Sequence, residues 1–343
     1  MKAAVLYGPR RLSVEEVSTP DLDPGEVLIK VEAAGICGTD VQIYDGSISA
    51  HFPVIPGHEF AGVIASSQGK GLAVGTRVFA QGSWGCGICE WCKSGMQARC
   101  SQRKMLGKSV DGAFAQYVKV PASVVYPLAQ GVEPEDAQSL VTLACGVHAV
   151  RRASARFGSG AVVVGSGHAA LLLLQVMRIA GYDRIAVVGG SRETRLELAR
   201  RLGADLAVSS RSADFKTELA RLFPKGADVV FETSGSVKGL ELSLDIVKVG
   251  GTVVVFSIYP DRAEQFPVSV FYDKEVTVIG SKGAGGAYLE AMRLLEQRRV
   301  SVKPLVTHVL PLDRVNEGFE LMSSRSADAI RIVIVPWQGN NQA

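Results

Sequence analysis

The chain has 343 residues, a formal net charge of +3 and a hydrophobic content of 47%, with 21% charged residues. These values are ordinary for a globular chain long enough for two domains, and so small a charge gives no reason to expect nucleic acid as a partner. No apolar stretch is long enough for a membrane span, and the first residues lack the apolar core of a signal peptide. We therefore predict a cytoplasmic protein without a membrane partner.

The first 150 residues show the alternation of apolar and polar positions that is typical of β-strands. Residues 27–32 alternate after a Pro-Gly turn, and further strand-like runs follow at 61–64 and 75–80. Frequent proline and glycine between short strands indicate a barrel-like β fold with functional loops. This pattern predicts a β-rich first domain.

Two elements of this domain contain residues that bind metals. Gly35-Ile36-Cys37-Gly38-Thr39-Asp40 comes first, and Gly57-His58-Glu59 follows it. A soft thiolate and an imidazole are suitable ligands for a zinc ion that keeps an open position for a substrate. Each element alone is a weak signal, because a lone histidine is usually structural.

A short cysteine-rich segment follows, with the spacing C-x2-C-x2-C-x7-C. Four thiolates at this spacing can close a tetrahedral zinc site and leave no position for a substrate, so the predicted ion is structural. An iron–sulfur cluster and four free thiols are the alternatives. In a reducing compartment, such clustering indicates metal binding rather than disulfides. The four residues are Cys86, Cys89, Cys92 and Cys100.

The centre of the chain is a strand, a glycine turn and a helix. A β-branched run at 161–164 leads into the turn at 165–170, an apolar helix ends near Gly181, and a second strand follows at 185–188. The glycines permit a tight turn and let a pyrophosphate approach backbone N–H groups at the helix N-terminus. An α/β repeat that binds no nucleotide is the alternative. The predicted dinucleotide contacts are Gly165, Gly167, His168 and Ala169.

The end of the second strand carries Gly190-Ser191-Arg192 where NAD sites usually have an acidic residue. Without a carboxylate to repel it, a 2′-phosphate can be held by the serine hydroxyl and the arginine guanidinium. This triplet therefore predicts a preference for NADP(H) over NAD(H). Alternatively, Ser191 caps a helix over 192–202 and Arg192 is a solvated residue of its first turn.

Strands and helices alternate in the rest of this half. Further strands are predicted at 206–208, 228–231, 252–256 and 276–279, with a helix over 236–249. Six such strands make a doubly wound parallel sheet, whose ligand binds at the carboxyl ends of the strands. The predicted contacts there are Ser234, Ser257, Ile258 and Lys282, and the final strand at 330–335 is predicted to return to the first domain.

Together these motifs resemble the zinc-containing medium-chain alcohol dehydrogenases, in the branch of the sorbitol and threonine dehydrogenases. The resemblance rests on the elements at 35–40 and 57–59, the four cysteines, the 165–170 turn and Phe231-Glu232-Thr233-Ser234-Gly235. It implies an α/β architecture: a GroES-like catalytic domain of residues 1–150 and 286–343, and a Rossmann domain of residues 151–285. The active site is then expected in the cleft. The 190–192 triplet is also similar to that of NADP-dependent secondary alcohol dehydrogenases.

The resemblance also implies roles for individual residues. Cys37 and His58 would hold a catalytic zinc, with Glu59 as an exchangeable ligand and Thr39 as the first member of a proton relay. Zinc would polarise the oxygen of the alcohol or carbonyl while a hydride moves between carbon and the nicotinamide. The expected substrate is a small alcohol or carbonyl compound. The chain is expected to form a homodimer or homotetramer.

Two positions depart from the family pattern. Val141 occupies the position of the third zinc ligand and cannot bind a metal, although Cys145 lies one helical turn further on. Gln42 stands where related enzymes often have a histidine, and it cannot titrate. Protons would therefore leave by another path, through ribose hydroxyls and water.

The sequence thus predicts an NADP(H)-dependent oxidoreductase that interconverts a secondary alcohol or polyol and its carbonyl with the help of zinc. A zinc-free reductase of enones or quinones is the first alternative, which Val141 favours and the Cys37 and His58 pair disfavours. The second alternative is a protein that binds NADP(H) without turnover.

Overall fold

The computed structural model describes residues 1–155, 157–259, 267–324 and 328–337. Both predicted domains include a few residues that lie outside these ranges. The chain divides into two compact units. The first contains Met1–Val141, Ala291–Arg298 and the described residues from Val302 onward. The second contains Thr142–Glu290 and Arg299–Ser301.

Strands and helices are numbered in chain order. The strands are β1 (Lys2–Leu6), β2 (Leu12–Glu16), β3 (Glu26–Gly35), β4 (Phe60–Ser67), β5 (Arg77–Ala80), β6 (Ser83–Trp84), β7 (Lys104–Met105), β8 (Tyr117–Pro121), β9 (Val125–Pro127), β10 (Ala161–Val164), β11 (Ile185–Gly189), β12 (Leu206–Ser209), β13 (Ala227–Glu232), β14 (Val247–Val255), β15 (Thr277–Gly280), β16 (Val306–Pro311) and β17 (Arg331–Val335). The helices are α1 (Gly38–Tyr44), α2 (Glu90–Lys93), α3 (Pro134–Ala137), α4 (Leu140–Arg152), α5 (His168–Ile179), α6 (Glu193–Arg201), α7 (Phe215–Leu222), α8 (Val237–Ile246), α9 (Ser269–Lys274), α10 (Tyr288–Glu296) and α11 (Val315–Ser323).

The first unit is built on a mixed sheet. Its order in the described residues is β16-β17-β3-β4-β5-β9, with β8 paired to β3. The period-two pattern of β3 buries Val27, Ile29 and Val31 completely, so that one face of the sheet lies on the core. The predicted final strand joins this sheet, because β17 pairs antiparallel with β3.

The second unit contains a parallel sheet with the order β12-β11-β10-β13-β14-β15 in the described part of the chain. Its central strand β10 is buried at every position, as expected for a parallel strand whose two faces are both covered. The strand order reverses between β10 and β13, which is the switch point at which doubly wound sheets bind ligands. The predicted doubly wound sheet is confirmed.

The predicted boundary between α8 and β14 is wrong. The helix expected over 236–249 ends at Ile246, and the next strand already starts at Val247. The end of the helix is fixed by Lys274, whose Nζ donates to the carbonyl oxygens of Leu244 (2.9 Å), Asp245 (2.6 Å) and Val247 (3.1 Å). A lysine can satisfy the last carbonyls of a helix in this way, and this one lies 27 residues from Val247.

Among the described residues, no helix combines the length and apolarity that a membrane span requires.

Candidate metal centres and cofactor site

The pairing of β3 with β4 brings the two metal-binding elements of the first unit together. Ala34 lies opposite Phe60 in this antiparallel pair, and Gly35 N donates to the carbonyl oxygen of Glu59 at 2.8 Å. The end of β3 therefore lies beside the start of β4. The ligand atoms of Cys37, His58 and Glu59 lie within 4.8 Å of one another.

Asp40, to which the sequence assigned no role, orders this cluster. Its carboxylate is completely buried and accepts hydrogen bonds from Cys37 N (2.9 Å) and Gly57 N (3.3 Å). The Asp40 Oδ1 atom also lies 3.0 Å from His58 Nδ1. A carboxylate on Nδ1 fixes the ring orientation and leaves Nε2 as the nitrogen for a metal.

The same contacts control the proton affinity of His58. Burial lowers the pKa of His58, but the Asp40 carboxylate and the Cys37 side chain together outweigh it and hold that pKa well above 6.5. A metal ion on Nε2 competes with a proton for this nitrogen, so metal binding at this cluster depends on pH.

Glu59 forms a buried ion pair with Arg331 of β17, and these side chains are 2% and 1% exposed. The guanidinium also donates from Nε to Gln138 Oε1 (2.8 Å) and from Nη1 to the carbonyl oxygen of Ile36 (3.1 Å). Gly35 leaves room for this pair, because a side chain there would collide with Arg331 and Gln138. A buried carboxylate needs such a partner, and Arg331 holds Glu59 in place.

The sequence assigned no role to Arg331 or Gln138. The signal that could have found Arg331 is a single cation inside the apolar run 330–335. Charged residues are almost never fully buried unless they are paired, so a cation in a buried strand predicts a buried anion elsewhere.

The remaining predicted residues of this site lie nearby in the chain. Thr39 is half-buried in the first turn of α1, and Gln42 is half-buried one turn later. Val141 ends the first segment of the first unit, whereas Cys145 belongs to the second unit. The donor set in the first unit is thus a thiolate, an imidazole and a carboxylate, which fits zinc with an open position.

The four cysteines form a second cluster, whose sulfur atoms lie within 4.8 Å of one another. None forms a disulfide. Hydrogen bonds from the backbone N–H groups of Ile88 and Cys89 lower the pKa of the Cys86 thiol to about 6, whereas burial raises the pKa of the Cys92 thiol to about 12. Cys86 is therefore the thiol of this pair that more readily gives the thiolate form that binds metals. Gly85 is required, because a side chain there would collide with Cys92. Four thiols converging on one point fit the predicted structural zinc.

The glycine turn of the second unit has the geometry of an anion site. Gly165 has φ +123°, and a side chain there would collide with Thr233. Gly167 is the N-cap of α5, and it has no side chain that could accept a hydrogen bond from the first turn. A methyl group on Gly167 would meet no atom within 4 Å. The space beside the N-cap is therefore open, and a helix N-terminus with open space beside it suits a pyrophosphate. His168 and Ala169 form the first turn of this helix.

Gly190, Ser191 and Arg192 follow β11 on this same edge of the sheet. Gly190 and Ser191 are exposed, and Arg192 is half-buried. Arg192 itself is the N-cap of α6, which begins at Glu193. The alternative interpretation of Ser191 as a helix cap is therefore wrong, since Ser191 lies one residue before the cap.

The four other predicted contacts also follow strands of the parallel sheet at their carboxyl ends. Ser234 comes after β13, Ser257 and Ile258 come after β14, and Lys282 comes after β15. Ile258 is 52% exposed, and Lys282 is exposed. The Ser234 hydroxyl is already engaged, because it donates to Glu232 Oε1. The Ser234 backbone N–H donates to the same oxygen at 2.7 Å, so Glu232 already occupies both donors of this residue.

Two family models match the chain. The model described as "Alcohol dehydrogenase GroES-like domain" matches residues 23–130, and the model described as "Zinc-binding dehydrogenase" matches residues 169–297. The predicted GroES-like domain and Rossmann sheet are confirmed by these matches and by the sheet topology.

Named relatives match over nearly the full chain. Sorbitol dehydrogenase from Halalkalibacterium halodurans is 33% identical over 98% of this chain and 99% of its own length. D-arabinitol dehydrogenase 1 from Uromyces fabae is 31% identical over 98% and 97%. L-threonine 3-dehydrogenase from Bacillus velezensis is 33% identical over 94% and 95%.

Solved structures agree with these matches. A protein from Sinorhizobium meliloti 1021, solved with NADP bound, has a TM-score of 0.90 at 28% identity over 98% of this chain and 99% of its own. Alcohol dehydrogenase from Thermus sp. ATN1 has a TM-score of 0.88 at 28% identity, with the same coverage of 98% and 99%. The chain therefore belongs to the zinc-containing medium-chain alcohol dehydrogenases of the sorbitol and threonine dehydrogenase branch, and is an alcohol dehydrogenase.

Proposed function

We propose that this alcohol dehydrogenase interconverts a secondary alcohol or polyol and its carbonyl compound, with NADP(H) as cofactor and a zinc ion held by Cys37, His58 and Glu59. The observation that carries the proposal is the convergence of these three ligand atoms within 4.8 Å. Zinc bound there would supply Lewis-acid polarisation of the substrate oxygen, and NADP(H) would supply or accept the hydride.

The chain's own residues have distinct tasks in this proposal. Asp40 orients the His58 ring, and Arg331 holds the Glu59 carboxylate. The Thr39 hydroxyl would take or return the proton of the substrate oxygen. The amide of Gln42 can relay a hydrogen bond but cannot titrate, so the proton would reach solvent through water and the cofactor ribose.

The zinc assignment is tested by elemental analysis of purified protein. We expect two zinc ions per chain in the wild type and one in Cys37→Ala. The variant loses a ligand of the site formed by Cys37, His58 and Glu59 and leaves the four-cysteine site intact. The matched control is Cys145→Ala, which should keep two. A loss of zinc from Cys145→Ala would instead make that residue a ligand.

One zinc ion in both the wild type and Cys37→Ala would contradict the proposal. Val141 favours that outcome, since it removes one ligand of the family pattern. The protein would then act as a zinc-free reductase, which a panel of enones and quinones beside secondary alcohols and polyols would reveal. Turnover of neither class would leave a protein that binds NADP(H) without chemistry.

The preference for NADP(H) is supported by the absence of a carboxylate in the 190–192 triplet, of which Gly190 and Ser191 are exposed, and by the NADP-bound relative. In Arg192→Ala the KM for NADP⁺ should rise about tenfold, because a charged contact to phosphate is lost, while the KM for NAD⁺ hardly changes. Arg221→Ala, an exposed arginine on α7, is the control. An equal change for both cofactors would exclude a 2′-phosphate contact.

Assembly, location and domain roles belong to the same proposal. Residues 1–150 and 286–343 would form the catalytic domain, and 151–285 the cofactor domain. A homodimer or homotetramer is supported by the exposed edge strand β15, because such edges are usually covered. Six free cysteines support a cytoplasmic location. Light scattering of the purified protein tests the assembly.

A further inference from the structure

Glu232, the last residue of β13, has a completely buried carboxylate. Its Oε1 atom accepts from Ser234 N at 2.7 Å and from the Ser234 hydroxyl, and its Oε2 atom accepts from Gly235 N at 3.3 Å and from the Tyr259 hydroxyl. Four donors surround this charge, as a buried carboxylate requires. Nothing in the zinc chemistry proposed above uses it.

These bonds join two loops that follow neighbouring strands. The loop after β13 contains Ser234 and Gly235, and the loop after β14 contains Ser257, Ile258 and Tyr259. Gly235 has φ +66°, and a side chain on it would lie 2.9 Å from the carbonyl oxygen of Ile258. The two backbones are therefore in close contact, and the Tyr259 hydroxyl bridges the second loop to the carboxylate of the first.

The position of the loops in the sheet indicates what they act on. A doubly wound sheet consists of two mononucleotide-binding halves that meet at the switch point, here between β10 and β13. The glycine turn and the 190–192 triplet follow β10 and β11, in the half that would hold the adenosine phosphate. The two joined loops follow β13 and β14, in the half that would hold the nicotinamide ribose.

We propose that the hydrogen bond from Tyr259 to Glu232 positions the loop of Ser257 and Ile258 for the nicotinamide half of the cofactor. Tyr259 is thus a positioning residue, and it governs affinity for the complete dinucleotide but not for its adenosine half. The inference rests on the proposed function.

The tyrosine is suited to this task at every working pH. Burial, and then the hydrogen bond to Glu232, raise the pKa of Tyr259 far above its usual value of 10. The hydroxyl therefore stays protonated and remains a donor to the carboxylate.

The test compares NADPH with 2′,5′-ADP, which contains only the adenosine half. Dissociation constants are measured by nucleotide fluorescence and calorimetry for the wild type, Tyr259→Phe and Tyr272→Phe. Tyr272 is 89% exposed in the same unit and serves as the matched control. We expect Tyr259→Phe to weaken NADPH binding about tenfold, as for the loss of one charged hydrogen bond, and to change 2′,5′-ADP binding less than about twofold.

Equal weakening of both ligands, or of neither, in Tyr259→Phe would overturn the inference. A wild-type protein that binds neither ligand would overturn the cofactor assignment itself, which separates the two failures. Should Tyr259→Phe not fold, Glu232→Gln replaces the acceptor at nearly constant size. Glu232→Gln should weaken NADPH binding more than 2′,5′-ADP binding, as Tyr259→Phe does. Equal effects on both ligands in Glu232→Gln would count equally against the proposal.

Discussion

Tyr182 carries a buried hydroxyl without a hydrogen-bond partner among the described residues. The side chain is 5% exposed, and its ring packs edge-on against Phe231 with the centroids 6.2 Å apart. Burial alone raises the pKa of this hydroxyl above its usual value of 10. A buried polar group left unsatisfied costs about 1–3 kcal/mol, whereas the ring stabilises the core.

Tyr182→Phe should therefore raise the free energy of unfolding by about 1 kcal/mol, because it removes the hydroxyl and keeps the ring. Urea denaturation measures this change, with the exposed Tyr272→Phe as a control that should have no effect. A loss of stability in Tyr182→Phe would mean that an ordered water satisfies the hydroxyl.

Asp228 contributes stability that depends on pH. Its Oδ2 atom accepts from Gly160 N at 2.7 Å, and its Oδ1 atom pairs with Lys248. Burial raises the pKa of Asp228, but Lys248 and Gly160 together lower it below 3.8. A carboxyl whose pKa is lowered on folding contributes stability above its unfolded pKa and loses it as pH falls through the folded value.

Asp228→Asn should accordingly unfold at lower urea concentration than the wild type at pH 6. The difference in free energy of unfolding should shrink as pH falls below the ordinary carboxyl pKa of 3.8. Equilibrium urea curves at pH 6 and at about pH 3 check this. A difference that stays constant between these pH values would exclude the ionised carboxylate as its source.

At the scale of elements, helix α4 contacts the segment that follows β15. Three of its residues, spaced i, i+3 and i+4, share one face. A side chain on Gly285 would collide with the His148 ring, Arg151 pairs with Glu290 at 2.7 Å, and Arg152 Nε donates to the carbonyl oxygen of Gly280 at 3.2 Å. This face fixes the segment that contains Lys282, one of the proposed cofactor contacts.

Gly285→Ala should destabilise the protein by about 2–3 kcal/mol, because its φ of +52° disfavours a side chain and the new methyl group meets His148. Gly158→Ala, with φ +80° and no atom within 4 Å, measures the backbone strain alone and should cost about 1 kcal/mol. The double variant His148→Ala/Gly285→Ala should lose less free energy of unfolding than the sum of the losses in the two single variants. Strict additivity in this cycle would exclude the contact.

Elements with a short-range cause could be predicted from the sequence. The turn at 165–170, the four-cysteine segment and the parallel strands depend on neighbours in the chain, and they lie where the pattern placed them. The start of β14 was not predicted, because an apolar run fits a helix as well as a strand. The helix ends where Lys274, 27 residues away in the chain, binds the carbonyl oxygen of Val247.

The candidate site shows the same division. The residue types of two short motifs and the resemblance to the family predicted Cys37 and His58, which the structure brings together with Glu59. Sequence reasoning assigned no role to Gln138 or Arg331, because their partners lie far away in the chain. Arg331 is 193 positions from Gln138, and no local periodicity encodes such a contact.

At the scale of the whole molecule, the two kinds of ligand-binding residues belong to different compact units. Both candidate metal clusters lie in the first unit, and all the proposed dinucleotide contacts lie in the second. A ligand that binds only the folded state stabilises the region it contacts, so metal and cofactor should protect different parts of the chain.

Hydrogen–deuterium exchange can resolve this division. Removal of metal by a chelator should speed exchange in residues 83–105 and 35–60, because free thiols no longer hold their loops together. Addition of NADPH should slow exchange in residues 161–170 and 189–193 and leave the cysteine segment unchanged. Faster exchange in the second unit before the first, on addition of the chelator, would mean that bound metal also stabilises the second unit. The prediction that metal and cofactor protect different units would then be wrong.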